Sequence, residues 1–109
     1  MKLIKSIVRP NRVDDVREAL ERLNIPGMTV TEVRGHGHQK GHTAIYRGKE
    51  YNVSLLPKVE IEVVVDDGVA DQVIQAVMAA ARTGEIGDGR VFVQHVDHSY
   101  NIRTGERDV

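Results

Sequence analysis

The chain has 109 residues, 40% of them apolar and 28% charged, with a formal net charge of −1. That suffices for one domain around one core, and near-neutrality argues against a general nucleic-acid binder. The lack of cysteine excludes disulfides, thiolate metal sites and thiol catalysis.

The opening MKLIKSIVRP is too short and too charged for a signal peptide. No run approaches the roughly 18 apolar residues of a membrane helix, so a cytoplasmic globular protein is expected. Lys2 to Arg9 is rich in Ile, Val and Leu and stops at Pro10, which predicts a strand. In the following NRVDDVREALERLN, Val13, Val16, Leu20 and Leu23 recur at helical spacing. Asn11 is the expected cap, and Asp14 and Asp15 suit the positive end of that helix. Pro26 and Gly27 mark a turn, and Met28 to Gly35 reads as a second strand. His36 to Leu55 shows neither helical nor strand periodicity and reads as a long loop. From Leu56 to Val65 the alternation is clean: Val59, Ile61, Val63 and Val65 face one way, Glu60, Glu62 and Val64 the other. A second helix follows, with Val69, Val73, Val77 and Ala80 as its stripe and Asp66-Asp67 read as its cap. RTGEIGDG breaks that pattern, Arg90 to Val96 forms the last strand, and the tail, residues 97–109, is expected to add a short edge strand.

Strand, helix, strand, long loop, strand, helix, strand describes an α+β, ferredoxin-like βαββαβ sandwich: an antiparallel sheet with two helices on one face. The other face is left bare, and self-association is the simplest covering. The segment 36–55 is longer than loops in compact domains usually are, which points to a functional arm. From His36 to Lys58 the net charge is +3, so basic charge is concentrated there. Half of the four aromatic residues, Tyr46 and Tyr51, lie in it as well. The glycine-rich RTGEIGDGR, residues 82–90, follows a helix rather than a strand and lacks a GK[ST] ending. It is therefore neither a dinucleotide fingerprint nor a P-loop. An anion-binding nest flanked by Arg82 and Arg90 and a plain helix-ending turn both fit its residues. The motif RTGE recurs as Arg103 to Glu106, again pairing a guanidinium with a hydroxyl and a glycine.

Three stretches resemble the PII signal-transduction proteins, the trimeric nitrogen-regulation family. Thr83 to Val93 (TGEIGDGRVFV) fits that family's C-terminal signature, and Tyr46 to Tyr51 (YRGKEY) fits its nucleotidylation-loop signature except at Lys49. Gly37, Gln39 to Thr43 and Leu56 to Lys58 match the base of the loop, and the similarity runs from Met1 to Arg107. The resemblance implies a homotrimer with ATP or ADP in clefts between subunits. Gly87, Asp88, Gly89 and Arg90 would then lie on the phosphates with Thr83. Thr29 and the backbone near Glu62 and Val64 would hold the adenine, with Ile7, Gly35 and Gly37 lining the site. Lys40 and Arg103 would add positive charge. Mg²⁺ would sit on the triphosphate and Gln39, and 2-oxoglutarate would complete its shell and pair with Lys58. The loop would regulate partners, either an ammonium transporter, which is the one route to peripheral membrane contact, or nitrogen-assimilation enzymes and kinases. Tyr51 matches the residue that a uridylyltransferase modifies in such proteins.

The sequence departs from that pattern in places. His38 and Asn101 stand where arginines are usual, so weaker ATP binding that strengthens toward acid is expected, as His38 charges below about pH 6.5. Lys49 replaces a small residue, His36 an aromatic and Ala44 an acid. A transition-metal site built from His36, His38 and His42 is the rival reading. An RNA-binding module is disfavoured because Phe92 stands alone where several stacking aromatics are needed. No nucleophile–base pair is legible, so the chain is not read as an enzyme.

Overall fold

A computed structural model describes residues 1–36, 42–46, 49–53 and 55–108, the last two internal segments before residue 55 by their backbone alone. The described elements are β1 (Lys2–Val8), α1 (Val13–Arg22), β2 (Thr29–Gly35), β3 (His42–Tyr46), β4 (Lys49–Val53), β5 (Leu56–Val65), α2 (Asp67–Ala81) and β6 (Gly89–His95). Four strands form an antiparallel sheet in the order β2-β5-β1-β6. With its two helices this is the ferredoxin-like α+β fold that the sequence predicts.

Side-chain alternation decides which sheet face is covered. Ile4, Ser6 and Val8 of β1 and Val59, Ile61, Val63 and Val65 of β5 are buried toward the helices. Val16 and Leu20 of α1 and Ala70, Val73, Val77 and Ala81 of α2 complete the core. The predicted stripe on α2 needs adjustment. Val69 is exposed and Ala70 takes its place, because a strict four-residue spacing drifts around a helix of 3.6 residues per turn. The two helices cover the central strands, so the core-side Val30 and Val93 of the edge strands stay close to half exposed.

The cap expected at Asn11 is not formed. Pro10–Arg12 is a short 3₁₀ turn leading into α1, and the residue before α1 is Arg12, with no side-chain cap bond. Proline's fixed φ starts a tight turn one step earlier and places Asn11 inside it. Asp14 and Asp15 do occupy the first turn, and Asn24, at φ 58°, closes the far end in the left-handed conformation. Asp66 precedes α2 without a side-chain cap bond.

The segment read as a patternless loop contains a hairpin. β3 and β4 pair antiparallel, from His42 opposite Val53 to Tyr46 opposite Lys49, in a sheet separate from the main one. Thr43, Ile45, Tyr46, Tyr51 and Val53 are strand-favouring residues, but no Asn-Gly or Asp-Gly turn marks the hairpin in the sequence. The tail forms one isolated bridge, Tyr100 with Arg107, rather than an edge strand. Among the described residues, no helix is long and apolar enough to cross a membrane.

Candidate functional site

The uncovered sheet face carries the odd-numbered side chains of β1 and the even-numbered ones of β5 and β6. Sheet register sets Ile7 opposite both Glu60 and Arg90, Lys5 opposite Glu62 and Phe92, and Thr29 opposite Glu62. Lys5 lies between Glu60 at 3.8 Å and Glu62 at 3.9 Å. Val64 and Phe92 remain nearly half exposed on this face. Thus Ile7, Thr29, Glu62, Val64 and Arg90, chosen from sequence, share one surface. Gly35 borders it: a Cβ there would lie 3.6 Å from Lys58 Cγ.

At one end of this face the chain between α2 and β6 folds into a tight turn around Asp88. The carboxylate accepts hydrogen bonds from the Thr83 amide at 2.9 Å, the Gly84 amide at 2.8 Å and the Thr83 hydroxyl. Arg9 Nε donates to it at 3.1 Å. These donors, the Thr83 hydroxyl foremost, hold the Asp88 carboxyl well below the usual carboxylate range. Gly84, Gly87 and Gly89 have φ values of 90°, 99° and 111°, a region that favours glycine. Gly89 is further constrained, since a Cβ there would sit 1.7 Å from the Ile7 carbonyl oxygen. The turn therefore uses glycine for backbone shape and close approach to β1.

Cations converge on the same turn. Lys58 Nζ donates to the Gly87 carbonyl at 2.7 Å, and Arg9 Nη2 donates to the Ile86 carbonyl at 2.8 Å. Burial, then the neighbouring Arg9 charge, pushes the Lys58 ammonium below its usual pKa, with Asp88 acting in the opposite sense. Beside the turn lies a cleft of about 390 Å³ lined by Ile7, Met78, Arg82, Asp88, Gly89 and Arg90, among others. Positive-φ glycines beside Arg9, Lys58, Arg82 and Arg90, with the central Asp88 carboxylate tied to donors, suit a polyanion.

The repeated RTGE motif is also a repeat of local geometry. Thr83 Oγ1 accepts the Glu85 amide at 3.1 Å, and Thr104 Oγ1 accepts the Glu106 amide at 3.2 Å. In the second copy Asn101 Oδ1 accepts the Thr104 amide at 3.2 Å, as Asp88 accepts that of Thr83 in the first. Asn101, where an arginine was expected, serves as a turn cap. Arg103 stands in that exposed tail turn. β6 starts at the glycine-rich turn and ends beside Met1, with Lys2 opposite His95. Arg103 thus follows from the opposite end of β6 to the turn it was expected to join.

The nitrogen regulatory protein P-II family matches residues 1–106 of the chain. The chain belongs to that family. It is similar to the nitrogen regulatory protein P-II of Rhizobium etli, 54% identical over 108 residues that cover 99% of this chain and 96% of the relative. With the P-II protein of Haemophilus influenzae the identity is 56%, and with nitrogen regulatory protein P-II 1 of Escherichia coli K12 it is 55%, over the same shares.

Gly37, His38, Gln39 and Lys40 lie outside the described residues, as do the side chains of His42 and Tyr51. The rival metal reading needs the side chains of His36, His38 and His42, of which only that of His36 is described. Arg9 is the residue that sequence reasoning did not single out. Its partners lie 77 and 79 positions away, and its sole local signal is a basic residue closing a strand before proline.

Proposed function

We propose that this chain is a nitrogen-status signalling protein that binds ATP or ADP, with Mg²⁺, at the turn Thr83–Arg90. The observation that carries this reading is the turn itself: a backbone that only glycines adopt easily, fixed by Asp88 and approached by Arg9, Lys58 and Arg90. Family membership supports the nitrogen-regulatory role. The chain works as a cytoplasmic homotrimer, which would cover the half-exposed Val64 and Phe92 and let Arg103 of one copy reach the turn of another.

Within this reading the nucleotide supplies the oxygen ligands that magnesium prefers, with Gln39 completing them, and 2-oxoglutarate joins that assembly. Lys58 is placed to answer it. Its ammonium, partly desolvated and held by a carbonyl, gains from exchanging that partner for a carboxylate. Because Lys58 also touches Gly87, effector binding and the phosphate turn are mechanically linked. Segment 36–55, with its hairpin, presents the result to regulatory partners, and its Tyr51 is the residue that takes a nucleotidyl group.

Calorimetric titration with ATP and Mg²⁺, with and without 2-oxoglutarate, tests this reading. Saturable ATP binding, and 2-oxoglutarate binding that requires ATP, are the expected results. Partial trypsin digestion should show Arg47 protected when all three ligands are present. A chain indifferent to millimolar ATP and ADP overturns the proposal.

A further inference from the structure

Asp88 poses an electrostatic problem for any anion received by the glycine-rich turn. Its carboxylate, about one quarter exposed, sits beside Gly87 and Gly89, and its hydrogen-bond donors hold it well below the usual carboxylate range. Left alone, that charge repels phosphate. It is nevertheless needed, because three of its hydrogen bonds hold the turn closed at Thr83 and Gly84.

Arg9 meets both sides of the problem. It follows β1 directly on the uncovered face, and its guanidinium bridges two acceptors. Nε donates to Asp88 Oδ1 at 3.1 Å and Nη2 to the Ile86 carbonyl at 2.8 Å. Those acceptors flank Gly87, the residue whose carbonyl Lys58 holds from another side. A planar fork satisfies two such acceptors at once, whereas a lysine ammonium is a point charge on a flexible stem. We propose that Arg9 is a positioning residue for phosphate binding, acting through Asp88 and Ile86: it fixes the backbone on both sides of Gly87 and offsets the Asp88 charge. This rests on the nucleotide reading of the turn and adds a residue to it.

The charge-offset role leaves a signature that a merely structural role lacks, because it scales with the charge of the ligand. Wild type, Arg9→Gln and Arg9→Lys should be titrated with ATP and with adenosine, which keeps the base and sugar but has no phosphate. Arg9→Gln is expected to weaken ATP about tenfold and adenosine by no more than about twofold. Arg9→Lys, which restores charge but not the fork, should recover most of that loss and stay about threefold weaker than wild type for ATP. Equal losses for both ligands in Arg9→Gln, or no loss, overturn the assignment of Arg9 while leaving the nucleotide reading intact. If wild type binds neither ligand, both fall together. Should Arg9→Gln not fold, Arg9→Lys carries the test, and an ATP affinity equal to wild type, or an equal drop for adenosine, overturns the assignment.

Discussion

Gly89 is where the backbone leaves least freedom. A methyl group there would meet the Ile7 carbonyl at 1.7 Å, and the φ of 111° already disfavours any other residue. Gly89→Ala is therefore predicted to cost at least about 3 kcal/mol, since it adds a clash with backbone to strain. Gly84 also has a positive φ but meets nothing within 4 Å, so Gly84→Ala should cost only about 1 kcal/mol. Urea denaturation of the two variants checks this order, and equal losses contradict it. Asp88 makes a second prediction. A carboxyl held low in the folded chain stabilises the fold above the ordinary aspartate pKa of about 3.9, and loses that contribution as pH falls toward the folded value. Asp88→Asn should be less stable than wild type at neutral pH and should lose less on acidification below about pH 4. Parallel acid limbs in a series of denaturation curves would count against the turn described.

Among the elements, α2 discriminates most sharply between pattern and packing. Val73 is fully buried and Val69 is exposed, although both lie on the four-residue spacing that the sequence displays. Val73→Ala should cost about 2 kcal/mol and Val69→Ala less than about 0.5 kcal/mol, measured by thermal or urea unfolding. Similar losses would restore the simple stripe. The same contrast explains what the sequence could show. β5 was readable to the residue because one face is buried under helices along most of its length, which enforces alternation. The β3–β4 hairpin was not, because His42–Tyr46 lacks that alternation and the residues between the strands carry no strong turn signal. The glycine-rich turn was visible as a motif, but its mechanism was not. The resemblance sets Asp88 with Gly87, Gly89 and Arg90 on the phosphates but does not show that its carboxylate is held by its own loop, or that Arg9 reaches it from 79 residues away.

For the molecule as a whole, the unshared sheet face and the tail decide the account. Lys5, Glu60 and Glu62 form a charge cluster beside Val64 and Phe92 on a surface that no helix covers. A partner copy that covers this face makes it an interface, so Phe92→Asp should weaken assembly, seen as a shift to smaller species in sedimentation velocity. Unchanged sedimentation would place the interface elsewhere. Arg103 and the glycine-rich turn leave opposite ends of β6, so the proposed nucleotide site, which uses both, is predicted to lie between two subunits. Native mass spectrometry of the chain with ATP and Mg²⁺ tests that claim most directly. The expected spectrum is a trimer carrying up to three nucleotides, with no nucleotide on monomers. A monomer that binds ATP unaided, or a trimer that binds none, contradicts it.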